Sequence, residues 1–420
     1  MGKSKDIIIV GGGSAGWISA MKLLKSNLNM NITLIESKDI LPIGVGEGTT
    51  PPFMNFIKEA GIDMRSLNAT YKYGIHYVDW YHSSDSKYNN HQHPFNLNYK
   101  PSSKALHFEV DLLIEILKKK CISGGVKHIT GDVVKVNKKD GNIKSVFLND
   151  DSEVYGNYFI DCTEFKRVLI SEMNPEIISY SDKLICDRAI ITKVDEINDG
   201  EDYWTRCTAL SSGWSWNIPL RNKTGVGYVY SSRFISDDEA KKEFNTYLGT
   251  NRDFKVIKWK QEALKTPFIK NCFSIGLSSG FLEPMEATNI HLILGSIQEC
   301  IFLLKNDDYD NKHYNDKFIN FMDDIVDYLS SHYFLSQRYD SKFWKYVSYE
   351  IPLPKNLNNL FRELKQFSDK LKKDNKHYSM LDNSYIKNEL WSILKYNLRL
   401  STFLEYDWLI LFLGYNFESK

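Results

Sequence analysis

The 420-residue sequence has no surplus of charge, because 53 Lys and Arg stand against 53 Asp and Glu. That balance removes any global electrostatic reason to bind nucleic acid or an anionic membrane surface. Long hydrophobic runs are missing too. The best candidate, Trp408-Leu409-Ile410-Leu411-Phe412-Leu413, falls far short of the ~20 residues that a membrane span needs. Cysteine is sparse: the 6 residues at 121, 162, 186, 207, 272 and 300 form no CxxC and no framework, so a reducing cytoplasm is expected rather than secretion. The N-terminus leads straight into a strand and carries no signal-peptide pattern. Internal repeats and low-complexity segments are absent. What the chain has in quantity is aromatic: 14%, with 9 Trp and 25 Tyr, which raises the question of an aromatic-lined pocket. The length suggests two to three domains.

The first informative segment is Ile7-Ile8-Ile9-Val10, a β-branched run followed by Gly11-Gly12-Gly13-Ser14-Ala15-Gly16. Trp17, Ala20, Met21 and Leu24 then recur at helical spacing, and a second apolar strand, Ile32–Ile35, ends at Glu36. Strand, glycine turn, helix, strand and terminal acid make up a dinucleotide fingerprint. Gly11 permits the tight turn, Gly13 lets a pyrophosphate approach the main chain, and Gly16 lets helix and strand pack closely. Ser14 and Ala15 open the helix, whose N-terminus faces phosphate. Glu36 can accept from ribose hydroxyls and argues against a 2′-phosphate.

Further along, Ile43–Pro52 is too rich in glycine for regular structure. His107-Phe108-Glu109-Val110 opens an expected helix with Leu112, Leu113, Ile116 and Leu117 on one face. Val133–Val136 and Ile143–Leu148 flank Asp140-Gly141 and read as a hairpin. The apolar strand Tyr158–Ile160 then reaches Asp161-Cys162-Thr163. This order resembles FAD domains of the glutathione-reductase type. No second GxGxxG stands in a βαβ context, so a resident nicotinamide site is unsupported. His91-Gln92-His93 reads as a polar loop and not as a metal site, because no third ligand is near. Lys118–Lys120 and the cluster at Lys370, Lys372, Lys373 and Lys376 read as solvated helix ends. The C-terminal third reads as helical, with stripes at Phe318, Phe321, Met322, Ile325, Tyr328 and Leu329 and at Leu357, Leu360, Phe361 and Leu364.

Three separated segments fit one family. Gly213-Trp214-Ser215-Trp216-Asn217-Ile218-Pro219 matches the WxWxIP signature (Trp214, Trp216, Ile218, Pro219) of flavin-dependent tryptophan halogenases. Gly276–His291, with Glu283-Pro284-Met285-Glu286-Ala287-Thr288-Asn289-Ile290 at its centre, resembles their second flavin motif and its glutamate. Tyr71-Lys72-Tyr73-Gly74-Ile75 resembles the segment that carries their catalytic lysine. The resemblance runs from residue 5 to about 300 in the family's order.

The resemblance implies an α/β protein: an FAD-binding domain with a Rossmann-like βαβ (1–70, 105–165 and 265–305) and a sheet-plus-helix substrate domain (71–104, 166–264 and 306–420), in one compact body. It implies that reduced FAD (FADH2) and O2 oxidise a halide (chloride, bromide or iodide) to hypohalous acid, which halogenates an aromatic ring of indole, phenol or aniline type. A separate NAD(P)H-dependent reductase supplies the reduced flavin. Lys72 and Glu286 match the catalytic positions, and Thr288 and Asn289 match the halide site. Gly11, Gly13, Ser14, Ala15, Gly16, Glu36, Val45, Gly46, Glu47, Val133, Leu277 and Ile290 match the flavin contacts. Departures from the pattern are Asn289 for glycine, Leu277 for Asp or Asn, and Glu164 where glycine is common.

The residue types suit that chemistry. A desolvated lysine holds an oxidant by hydrogen bonding or as a haloamine. A carboxylate polarises it or takes the ring proton. Pattern alone places Lys72 opposite Tyr71, Tyr73, Ile75 and Tyr77, on a face that reads as solvent. Glu286 alone would read as a first-turn acid complementing a helix dipole. His291 reads as a buried hydrogen-bonding group, and Phe343, Trp344 and Tyr346 as core. The alternatives are an aromatic monooxygenase of the same fold and a non-catalytic flavin-binding protein.

Overall fold

The computed structural model describes residues 4–38, 44, 46–81, 91–95, 104–195, 203–306, 310–336, 338–373, 392–393, 407–408 and 411. The β-branched strand Lys5–Val10 lies at the middle of a six-stranded sheet. Met30–Glu36 pairs with it in parallel, Ile7 opposite Ile32, and Lys127–Thr130 lies beyond. Tyr158–Asp161 and Cys272–Ser274 extend the sheet on the other side, also in parallel. Phe268–Ile269 closes that edge antiparallel. The five parallel strands bring their carboxyl ends to one edge, where open α/β sheets hold ligands.

Alternate side chains face opposite layers, as the two-residue strand period requires. Ile7, Ile9, Leu34 and Ile160 pack on Trp17, Met21, Leu113, Leu117, Ile293 and Ile297. Those residues come from helices Ser14–Lys25, Val110–Ser123 and Thr288–Asn306. On the other face Ile8, Val10, Ile35 and Phe159 pack on a three-stranded meander, Val133–Lys139, Asn142–Leu148 and Glu153–Tyr155. The expected hairpin turn is found at Asp140 (φ +54°) and Gly141 (φ +77°). The expected helix start at His107-Phe108 is corrected: both residues close the strand Ala105–Phe108, and the helix begins at Val110. Tertiary pairing decides this, because that strand sits between Glu47–Gly48 and Thr70–Lys72.

The second layer is a seven-stranded sheet ordered Lys255–Lys258, Arg188–Val194, Thr224–Tyr230, Gly213–Pro219, Trp204–Leu210, Gly74–Val78 and His91–Pro94. It is antiparallel except where Trp204–Leu210 meets Gly74–Val78. Helices Asn311–Ser336 and Lys355–Lys373 cover one face with Met322, Ile325, Leu329, Leu357, Leu360 and Leu364. Phe343 and Trp344 are fully buried in the same core, and Trp344 Nε1 donates to Leu210 O at 2.6 Å, so both are packing residues. The two layers form one compact α/β body. All six cysteines are buried and unpaired. Among the described residues, no helix is long and apolar enough to cross a membrane.

Candidate active site

A cavity of about 480 Å³ runs from Gly13 and Ser14, past Gly46–Gly48 and Leu277, to Lys72, Trp214 and Trp216. Its two ends are built differently.

At the glycine end the main chain does the work. Gly11 has φ +116°, and a Cβ there would lie 2.2 Å from Cys162 O. A Cβ at Gly16 would lie 1.9 Å from Gly11 O. These two glycines let the strand, turn and helix close on each other. Gly13 differs: a Cβ there meets nothing nearer than Glu164 Oε1 at 3.9 Å. The space over Gly13 is open, beside the first-turn N–H groups of Ser14–Lys25, which have no intrahelical partner. Ser14, Gly46, Glu47, Leu277 and Ile290 line the cavity with it. Burial, and then Asp111, push the Glu47 carboxyl up to about 7. Ala15 stands behind the wall, its Cβ only 2.7 Å from where a side chain at Gly276 would begin. Val45 lies outside the described residues.

Val133 lies off the cavity, and its side chain packs with the meander core of Ile143 and Leu148. One expectation at this end needs correction. Lys118 is not a solvated helix end, because it pairs with the Glu36 carboxylate. His128 Nε2 stands 2.8 Å from the same oxygen, and Trp17 Nε1 donates to the other at 3.3 Å. Glu36 is thus held in place by three protein groups at the end of its strand. Glu164, standing where glycine is common, takes φ +54° and lines the cavity mouth.

At the far end, side chains do the work. The alternation over residues 71–77 belongs to two strands, which overturns the solvent-facing reading of Lys72. Thr70–Lys72 pairs with Ala105–Phe108, whereas Gly74–Val78 joins the seven-stranded sheet. The break falls at Tyr73, and Gly74 has no room for a side chain, since a Cβ would lie 2.2 Å from His93 O. Lys72 is consequently 0% exposed and turned into the cavity wall. Among the described residues its ammonium has no ion-pair or hydrogen-bond partner; the Phe95 ring centroid stands 5.3 Å away. Burial pulls Lys72 down to about 8 against the opposing pull of Glu286. His107, bonded to Thr205 Oγ1 at 2.8 Å, is driven well below its ordinary value by burial and then by Lys72, so it stays neutral.

Glu286 is 3% exposed, two residues ahead of helix Thr288–Asn306. Its Oε1 accepts from Tyr77 Oη at 2.5 Å and sits 3.0 Å from His332 Nε2 and 3.4 Å from His93 Nδ1. Among the described residues nothing donates to Oε2. Burial would raise this carboxyl, but His93 and His332 hold it well below the usual range. Burial likewise opposes the charge on His93, yet Glu286 and Asp407 lift it to about 9. On His332 burial prevails and lowers the imidazole. The group is therefore one carboxylate, one imidazolium and one neutral imidazole.

Ala287, at φ +54°, turns the chain into the helix, and Thr288 and Asn289 line the cavity at its first turn. Orphan N–H groups there suit a small anion. Trp214 and Trp216 share one strand face and line the cavity, as expected, together with Ile218. Pro219 lies off the cavity, and its carbonyl accepts from Thr70 at 2.6 Å. His291 makes its expected hydrogen bond, to Thr50 at 3.2 Å.

Sequence reasoning missed Tyr77, His93 and His332. His91–Pro94 is not a polar loop but an edge strand that sets His93 opposite Ile75 and buries it. For His332 the available signal was an imidazole at the i+4 position from Tyr328 on an otherwise apolar helical stripe.

The sequence matches the family description "Tryptophan halogenase" over residues 6–102 and 85–414. The match continues far past residue 300, where the motif resemblance stopped. Tryptophan 7-halogenase RebH of Lentzea aerocolonigenes is 29% identical over 82% of this chain and 79% of its own. The crystal structure of a tryptophan halogenase from Shewanella frigidimarina superposes with a TM-score of 0.85 at 25% identity, covering 99% of this chain and 90% of that one. BrvH, a flavin-dependent halogenase from Brevundimonas sp., superposes with a TM-score of 0.83 at 27% identity, over 99% and 90%. The open glycine crevice, the buried lysine–glutamate end and these matches lead to one assignment. The chain belongs to the flavin-dependent tryptophan halogenase family.

Proposed function

We propose that this chain halogenates an electron-rich aromatic ring of indole, phenol or aniline type, with Lys72 and Glu286 as its catalytic residues. The observation that carries the reading is the fully buried Lys72, in a cavity wall with no ion-pair or hydrogen-bond partner among the described residues. A desolvated, unpaired ammonium is costly for a fold and useful only to a ligand.

The crevice fits FAD on its own geometry. The open space over Gly13, the first turn at Ser14 and the acid at Glu36 suit a pyrophosphate and a ribose, with Gly46, Glu47, Leu277 and Ile290 along the cavity beyond. When bound and reduced, FAD supplies with O2 the two-electron oxidation that turns halide into hypohalous acid. Thr288 and Asn289 hold the halide at the helix start. The Lys72 ammonium donates to the hypohalous oxygen. As the aromatic carbon takes the halogen, the O–X bond breaks, and the oxygen leaves as water with the Lys72 proton. The ring then gives its proton to the Glu286 carboxylate, and return of that proton to Lys72 restores both groups. Preorganised charges in a dry site stabilise the cationic ring more than water would.

The cavity beside Lys72 is walled by Trp214, Trp216, Ile218, Phe281 and Met285, which suit a flat aromatic ring. Simple indoles, phenols and anilines are expected to react better than free tryptophan. The single dinucleotide fingerprint points to reduced flavin from a separate reductase, and the two sheets are read as flavin-binding and substrate units. The test supplies FAD, a reductase, bromide and a panel of indole, phenol, aniline and tryptophan. A bromine mass shift supports the reading; an added oxygen favours the monooxygenase alternative. A much higher specificity constant for free tryptophan would overturn the substrate assignment.

A further inference from the structure

Glu283 stands three residues before Glu286 and is 1% exposed. Its Oε2 accepts from Tyr333 Oη at 2.6 Å and from Trp214 Nε1 at 3.3 Å. Its main-chain N–H donates to Gln261 Oε1 at 3.0 Å. Among the described residues its other carboxyl oxygen, Oε1, has no hydrogen-bond partner. Glu283, like Glu286, stands just behind the residues that line the cavity, which include Pro284, Met285 and Ala287.

The two glutamates of Glu283-Pro284-Met285-Glu286 are held alike. Each is held from the seven-stranded sheet, Glu283 by Trp214 and Glu286 by Tyr77 and His93. Each also takes one partner from helix Asn311–Ser336, and these partners are consecutive residues, Tyr333 and His332. Trp80 lies among four of these partners, with ring centroids 5.3 Å from Tyr77, 5.7 Å from Tyr333, 6.1 Å from His332 and 6.4 Å from Trp214. Trp80 is fully buried, and its Nε1 donates to Cys207 O at 3.1 Å. Rigid rings around a buried acceptor leave the turn little freedom.

Resting on the reading of Glu286 as catalytic, we propose that Glu283 is a positioning residue. Trp214 and Tyr333 grip its Oε2 and thereby fix where Glu286 and Thr288 stand. The first tryptophan of the WxWxIP motif thus acts through a hydrogen bond to the catalytic turn, besides walling the cavity. Burial pushes the Glu283 carboxyl up to about 7, and the grip survives protonation, because a neutral carboxyl keeps one acceptor oxygen.

Hydrogen exchange of the purified protein, followed by mass spectrometry, reads the turn directly. In Glu283→Leu, Trp214→Phe and Tyr333→Phe, exchange in the peptide 283–290 should rise about fivefold, as expected for one lost hydrogen bond. Exchange in the peptide 14–25 should not change. Halogenated product per reduced flavin oxidised should fall about fivefold to tenfold in the same variants, with the KM for the aromatic unchanged. Glu283→Gln keeps an acceptor oxygen and should stay close to the parent on both readouts. Exchange and yield within twofold of the parent in Glu283→Leu would overturn the proposal. Faster exchange alongside a Glu286→Gln variant that halogenates at the parent rate would leave the grip standing and overturn the catalytic reading of Glu286 instead.

Discussion

At the Gly13 end of the cavity the phosphate approach is shaped by the main chain of one unbroken segment, whereas behind the Lys72 end side chains from five segments are brought together. Residues 11–16 bring their own turn, their own helix start and their own open space. Lys72, Tyr77, His93, Glu286 and His332 meet only because two sheets and a long helix converge on them. A main-chain site tolerates no side chain at specific positions, and its signature is glycine. A converged side-chain site stores desolvation and charge, and its signature is scattered. The first is broken by adding atoms and the second by removing them.

The largest effect is expected from adding atoms where the fold closes. Gly16→Val would drive a side chain into Gly11 O, 1.9 Å from the Cβ position. It should cost more than about 4 kcal/mol and yield little folded protein, as thermal melting would show. Gly13→Val sharpens the contrast, since its Cβ has open space out to 3.9 Å. This variant should fold with an unchanged melting temperature yet bind FAD about 10-fold to 100-fold more weakly by fluorescence titration, because the branched side chain occupies the phosphate approach.

Removing a functional atom at the other end should spare the flavin. Glu286→Gln is expected to lower halogenation by about 10²–10³-fold, the range for losing a general base, with FAD affinity unchanged. Equal losses of flavin binding and halogenation would erase the distinction between the two ends.

The contrast also explains what was legible in the sequence. Gly11, Gly13, Gly16 and the Trp214–Pro219 strand were readable because each motif is local and its spacing is imposed by one turn or one strand. The hairpin at Asp140-Gly141 was readable for the same reason. Lys72 looked solvent-facing on pattern, because alternation over 71–77 hides a change of sheet at Tyr73. His93 looked like a polar loop because nothing nearby in sequence shows that Glu286 and Asp407 will face it. Lys118 looked solvated because its partner Glu36 is on a distant strand. Local rules find main-chain sites; converging charges become visible only with the topology.

Smaller effects follow from the charge stored at Lys72. Its value falls from 10.5 to about 8 on folding. The unfolded chain therefore binds more protons between those values, and stability rises with pH across that window. The cost of burying the ammonium is present in full below pH 8. Lys72→Met should raise the melting temperature at pH 7, with the gain shrinking as pH climbs from 8 toward 10.5. A gain that grows with pH would contradict the assignment. Halogenation by the parent protein should decline above pH 8 as the ammonium is lost. The smallest effect is expected for Lys118→Ala, which frees Glu36 from one partly exposed ion pair. FAD affinity should change by less than about threefold, in line with a pair contributing below 1 kcal/mol.

The most direct measurement is a single turnover of Lys72→Ala with chemically reduced FAD, O2, bromide and indole, following flavin oxidation and brominated product in the same sample. The account predicts parent-like FAD binding and flavin oxidation with no brominated indole. Brominated product at the parent rate would contradict it.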